Sequence, residues 1–161
     1  MIALIIILGI LFVLFLFMNG APFLATHKKI LKKITDFAEI KSGEKTLDLG
    51  SGDGRIVIAL ANVGAQAHGF EINPILVWWS KRKIKKAGLK DKAFIYCRDF
   101  WTENFSSFDV ITVFGIPHIM SELEKKLKRE LRPGARVISA IFSFPNWQFL
   151  RKENGVYLYK V

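Results

Sequence analysis

Asp48-Leu49-Gly50-Ser51-Gly52-Asp53-Gly54 is a glycine-rich turn set between two patterned segments. Before it, Lys45 to Leu49 reads as a short strand. After it, Arg55 to Val63 carries a helical apolar pattern stopped by Gly64. Glycines at this spacing let the backbone turn sharply and let a ligand come close. The spacing is G-x-G-x-G, and Arg55 stands where a dinucleotide fingerprint wants its third glycine. Two acids bracket the turn, Asp48 at its entrance and Asp53 within it. A pyrophosphate would be repelled there, whereas a group carrying an ammonium and a sulfonium would be attracted.

Working outward, strands and helices alternate. Ala67 to Ile72 reads as a second strand. Asn73-Pro74 then puts a cap and a proline in their favoured places for a helix running to Ala87 and stopping at Gly88. Ala93 to Cys97 and Asp109 to Phe114 read as strands, the latter apolar enough to be buried on both faces. Ser121-Glu122-Leu123-Glu124 has the form of a capping box for a helix reaching Leu131 and ended by Pro133-Gly134. Arg136 to Phe142 and the short Val156 to Val161 read as strands. This spacing implies an α/β fold, a Rossmann-like, doubly wound and mostly parallel sheet.

Acids follow successive strands. Glu71 ends the second strand, placed to accept from two ribose hydroxyls, with Ile72 beside it. Asp99 follows the third, placed to accept from an adenine amino group, with Phe100 able to pack on the base. All fall at the carboxyl edge, where open α/β sheets bind ligands. The cofactor-facing set is therefore Asp48, Gly50, Ser51, Gly52, Gly54, Glu71, Ile72, Asp99 and Phe100, and its charge favours S-adenosylmethionine over a nicotinamide cofactor. Three scattered histidines and one cysteine give no metal ligand set.

From Ile2 to Met18 the chain has no charged or polar side chain. Seventeen helical residues reach roughly 26 Å, the short end of a membrane span. Ala21 to Ala25 could lengthen it. No basic residue precedes the run and no A-x-A pattern follows it, which argues against a cleaved signal peptide. Lys28, Lys29, Lys32 and Lys33 come just after, so the positive-inside rule places the rest of the chain on the cytoplasmic or matrix side of a single-pass helix. The organisation expected is a transmembrane anchor over 1–20, an amphipathic segment over 21–44 and the cofactor-binding domain over 45–161. Thr26 can cap a helix to Glu39, with Ile30, Leu31, Ile34, Phe37 and Ala38 as its apolar stripe. The single cysteine, Cys97, suits a reducing compartment.

The net charge of +10 allows nucleic acid as a partner, but the basic runs have no interleaved aromatics, which argues against it. An anionic bilayer is the plainer partner, given the apolar run beside the first lysine cluster. Of Trp78 and Trp79, one is expected to pack on the sheet and the other to meet a membrane interface. The domain reads as a monomer.

The stretches APFLAT (21–26), LDLGSGDGRIVIA (47–59), FEINPILVWWS (70–80), DFW (99–101), VFGIPHIM (113–120), LEKKLKREL (123–131) and ARVI with FSFPNW (135–147) together carry a resemblance. The chain resembles the membrane-anchored seven-β-strand lysine methyltransferases related to the mitochondrial enzymes for the ATP synthase c-subunit and the adenine nucleotide translocase. GSGDGR is common to many methyltransferases; INP, DFW, FGIP and FPNW together are more specific. The resemblance implies a class I methyltransferase fold, cofactor contacts at Asp48, Gly50, Gly52, Glu71 and Asp99, and a lysine of a membrane-associated protein as acceptor. The part after Phe142 is short, leaving no room for a final helix and full strand pair, so a shortened C-terminal end is expected, with six strands or an irregular seventh. On the acceptor side stand Phe114 and Pro117 at the end of the fourth strand, Trp101, Trp147, and His118 as a proton relay. The N-P-P-Y form of base-methylating enzymes is absent. RNA, small-molecule or lipid methylation, and a non-catalytic tethered adaptor, stand as alternatives.

Overall fold

A computed structural model describes residue 7 and residues 28–161. The apolar run at 2–18, the segment to Ala25 and the Thr26 cap fall outside that range, residue 7 apart. Among the described residues no helix is long and apolar enough to cross a membrane.

The elements run in chain order as α1 (Lys28–Ala38), β1 (Lys45–Leu49), α2 (Arg55–Asn62), β2 (Gln66–Glu71), α3 (Pro74–Lys86), β3 (Ala93–Cys97), β4 (Val110–Phe114), a 3-10 turn (Pro117–Ile119), α4 (Met120–Glu130), β5 (Arg136–Ala140), β6 (Arg151–Glu153) and β7 (Val156–Lys160). They build a seven-stranded sheet of order β3-β2-β1-β4-β5-β7-β6. The first five strands in that order pair parallel, and β7 runs antiparallel to both β5 and β6.

Strand alternation sorts the side chains onto two faces. On one, Ala67, Val110 and Ile138 meet Ile34 and Phe37 of α1, Val57 and Leu60 of α2, and Val77 and Ile84 of α3. The lysine-rich amphipathic pattern of α1 thus buries the stripe read from the sequence. On the other face, Leu47, Phe70, Ile111, Val113, Val137 and Tyr159 meet Met120, Leu123 and Leu127 of α4. Aromatic side chains of the connecting segments, Phe105, Phe108 and Phe144, complete that layer.

Of the two outcomes expected for the C-terminal end, the sheet takes the seventh strand rather than stopping at six, because Arg151–Glu153 forms a short edge strand on β7. The residues between β5 and β6 form no helix, as expected from their shortness. Two expectations are corrected. Ser121 caps nothing: the chain enters α4 from the 3-10 turn begun by Pro117, and Ile119 occupies the cap position without a side-chain bond. The fifth strand stops at Ala140 rather than Phe142, because Ile141 takes a left-handed φ of 74°.

Candidate active site

The carboxyl ends of β1, β2, β3 and β4 meet at one edge, so the turn after β1, Glu71, Asp99 and the Phe114–Pro117 segment come together there. The glycine turn closes on itself. Gly50 and Ser51 both donate their backbone N–H to Phe70 O at 2.9 and 3.0 Å. Gly52 N donates to Glu71 Oε2 at 2.9 Å, and Gly54 N to Ser51 O at 2.9 Å. Four amides that could otherwise cradle a phosphate are thereby committed. Gly50, Gly52 and Gly54 all have left-handed φ, and a Cβ on Gly50 would meet only open space. Gly54 serves packing: its missing Cβ would lie 2.8 Å from Ser80 Cβ of α3. Gly69 lets the buried Ser51 side chain settle on β2, since a Cβ there would lie 2.6 Å from Ser51 Cβ.

Asp48 is buried, and its Oδ1 accepts from the Thr112 hydroxyl of β4 at 2.7 Å. Burial pushes its carboxyl up to about 7, against the lowering Thr112 bond, with the charges of Glu71 and Asp53 pushing the same way as burial. Phe114 lies two residues beyond Thr112 on the same side of β4, packed against the helical layer that covers Asp48. The role of Thr112 was not visible in the sequence; a lone hydroxyl in the apolar run VITVF was its signal.

Glu71 is buried at the end of β2. Its Oε2 accepts from Gly52 and its Oε1 from Asn73 N at 2.8 Å. Each carboxylate oxygen can accept a second bond, which leaves capacity for two hydroxyls. Asn73 caps α3 with its own side chain, accepting from Ile75 N at 2.9 Å, as its sequence position implied. Ile72 is exposed beside it. Asp99 accepts from Trp101 N at 3.0 Å, holding a turn in which Phe100 and Trp101 lie 5.0 Å apart.

Asp53 does not face the site as a free acid. Burial opposes its ionisation, but hydrogen bonds and charge from Arg55 (2.8 Å) and Lys83 outweigh that and bring its carboxyl to about 2. Its role is to tie the turn to α3. Trp147 is likewise drawn away from the edge. It packs 5.2 Å from Tyr159, which pairs with Val137 near the amino end of β5, and 5.5 Å from Phe144. His118 sits exposed in the 3-10 turn, and Pro117 opens that turn.

The residues at this edge can therefore hold a cationic nucleoside: a buried acid at Asp48, acceptor capacity at Glu71 and Asp99, and the N–H groups of Gly50, Ser51, Gly52 and Gly54 already bonded within the protein. Comparison with known proteins agrees. Residues 48–151 match the ANTKMT methyltransferase domain. Over 126 residues the chain is 42% identical to the human ATP synthase C-subunit lysine N-methyltransferase, covering 78% of this chain and 54% of the relative. It is 32% identical over 151 residues to a protein-lysine N-methyltransferase of Saccharolobus islandicus, covering 87% of this chain and 93% of that one. A crystal structure described as an RNA methyltransferase from Salinibacter ruber in complex with S-adenosyl-L-homocysteine matches with TM-score 0.79 and 31% identity, over 85% of this chain and 92% of that chain. The chain spans about half the length of the vertebrate relatives it matches.

Proposed function

Because the chain belongs to the ANTKMT methyltransferase family, we propose that it transfers a methyl group from S-adenosylmethionine to a lysine side chain of a membrane-associated protein, from a membrane-tethered position. The observation that carries the reading is the pairing of a self-closed glycine turn with the buried Asp48 carboxyl. That pairing favours a cation over a phosphate, since an acid lies at the turn and four of its amides are already bonded. The names of the human and archaeal relatives support lysine as acceptor. The apolar run at 2–18 with its following lysines supports the tether and the cytoplasmic or matrix side.

When bound, the cofactor supplies a methyl group on a cationic sulfur that departs as a neutral thioether. The protein's part is then alignment and an acceptor with a free lone pair. Asp48 provides the counter-charge, held in place by Thr112. Glu71 grips the turn through Gly52 while keeping capacity for the ribose hydroxyls. Gly50, beside open space, gives close approach. On the acceptor side, Phe114 and Pro117 at the end of β4 and Trp101 across the edge form apolar walls. A lysine amine with a reference pKa near 10.4 loses its proton more readily in such surroundings. His118, exposed in the 3-10 turn that follows β4, would take that proton toward solvent.

The test incubates the full chain, in detergent, with methyl-labelled S-adenosylmethionine and a membrane fraction, beside Glu71→Ala. Label in methyl-lysine after acid hydrolysis, lost with the variant, is expected. Label only in RNA would replace this reading with the one suggested by the Salinibacter structure's description. Saturable cofactor binding without any label transfer would leave a tethered adaptor.

A further inference from the structure

Helix α3 buries Val77, Ser80 and Ile84 against the sheet. At about 100° per residue, the positions opposite that stripe are Ile75, Trp78, Trp79, Arg82 and Lys86. An outward helix pole ordinarily carries charge. Here Ile75 is 54% exposed, Trp78 56% and Trp79 48%, and Ile72 just before the cap is 48% exposed. Neither tryptophan packs on the sheet, which corrects the expectation that one would. Both are roofed by cations: the Arg82 guanidinium lies 4.1 Å from the Trp78 ring centre and Lys83 Nζ 5.0 Å from that of Trp79. Between Glu71 and Asp91 the sequence has no acid and six cations, Lys81, Arg82, Lys83, Lys85, Lys86 and Lys90. Lys83 is engaged by Asp53; among the described residues no acid pairs with Lys81, Arg82, Lys85 or Lys86.

We propose that this face of α3 seats in the interfacial layer of an anionic bilayer. Ile72, Ile75, Trp78 and Trp79 enter the boundary between headgroups and acyl chains, and Lys81, Arg82, Lys85 and Lys86 meet the anionic headgroups. Amphipathic aromatics beside cations are the composition that membrane interfaces select. Nucleic acid would use the cations and the indole faces but has no partner for Ile72 and Ile75, so the bilayer accounts for the whole patch. The contact would also fix an orientation of the domain on the bilayer. The apolar end of the face begins where Asn73 N donates to Glu71, so seating it turns the carboxyl edge of the sheet, with its acceptor side, toward the membrane. This inference does not depend on which molecule accepts the methyl group.

The experiment labels the full chain with 5-fluorotryptophan. The four tryptophan resonances are assigned by single Trp→Phe substitutions. The protein is placed in nanodiscs of phosphatidylcholine alone or with phosphatidylglycerol, each doped with a headgroup-level spin-labelled lipid. In the anionic discs the Trp78 and Trp79 signals should broaden and those of Trp101 and Trp147 should not. The broadening should be lost in phosphatidylcholine, in the combined K81E, R82E, K85E and K86E variant, and at about 0.5 M salt, where a Debye length of a few ångströms screens the headgroups. Retained cofactor binding by the charge variant shows that it folds, and the salt arm stands if it does not fold. Trp78 and Trp79 unbroadened in every disc would overturn the proposal, meaning that the chain's own apolar segment, a second copy or solvent covers the face. So would their perturbation by added RNA with lipid leaving them unchanged.

Discussion

Replacing Asp48 by Asn should stabilise the protein at high pH while removing its grip on a cationic cofactor. Folding raises the Asp48 carboxyl from its ordinary 3.8 to about 7, chiefly by burial. Above pH 4 the unfolded chain releases a proton that the folded chain retains. Stability therefore falls as pH rises from about 4 and levels off once the folded carboxyl has also ionised, above about 7. Relative to a neutral side chain the cost is about 1.5 kcal/mol at pH 5 and about 4 kcal/mol at pH 8. An Asn amide adds its own pH-independent cost where it lacks an acceptor, and that cost cancels when two pH values are compared. The difference between variant and wild type should thus shift by roughly 2.5 kcal/mol in the variant's favour from pH 5 to pH 8. For a chain of this size that is about 5–10 °C in Tm. Thermal melts of both proteins in the same detergent at the two pH values read it directly. A gap that does not change with pH would refute an elevated Asp48. Calorimetric titration supplies the functional half. If the ionised carboxylate is the form that binds S-adenosylmethionine, wild-type affinity should strengthen about tenfold from pH 6 to pH 8. The variant should bind more weakly, with no such dependence.

Gly54→Ala should destabilise the fold by about 1–3 kcal/mol, through its left-handed φ and the approach to Ser80. In a Ser80→Gly background that cost should shrink by about 1 kcal/mol in denaturant melts; no coupling would mean that the contact is not the cause. Tyr159→Phe removes the hydroxyl that accepts from the buried Phe144 N–H at 3.0 Å. It should cost about 1–3 kcal/mol and alter Trp147 emission, and an unchanged midpoint would show that the amide finds another partner. Ile141→Gly should stabilise by about 1 kcal/mol by relieving a β-branched residue at φ 74°, read as a rise in urea midpoint.

What the sequence disclosed and what it hid divide by range. The glycine turn, Glu71 and the Asn73 cap were legible because their partners lie within a few residues or on the next strand. Asp48 was legible as an acid at the turn, but its partner Thr112 was not. That bond spans 64 residues and exists only because β4 registers against β1. Asp53 was misread as a cofactor-facing charge because Lys83, which neutralises it, sits 30 residues away on another element. The Ser121 box has the right letters, but Pro117 starts a 3-10 turn that flows into α4 and leaves Ser121 inside the helix. Arg151–Glu153 escaped notice because three polar residues carry no alternation; only the backbone of β7 makes them a strand.

The same range argument explains how the sheet behind β5 is covered. Without a helix between β5 and β6, that stretch of the second face is covered by the connecting segment itself, which α4 holds from two sides. Glu124 is buried and accepts from Asn146 N at 2.9 Å, while Lys128 pairs with Glu124 and donates to Asn146 O at 3.1 Å. Tyr159 takes the Phe144 amide from below and packs on Trp147. The FPNW element thus does the work of a missing helix by burying two rings against Tyr159 and closing its backbone bonds on α4. That assigns Trp147 to support of the sheet behind β5. Phe114, Pro117 and Trp101 remain the residues proposed for the acceptor side, at the edge that the proposed seating of α3 would turn toward the bilayer.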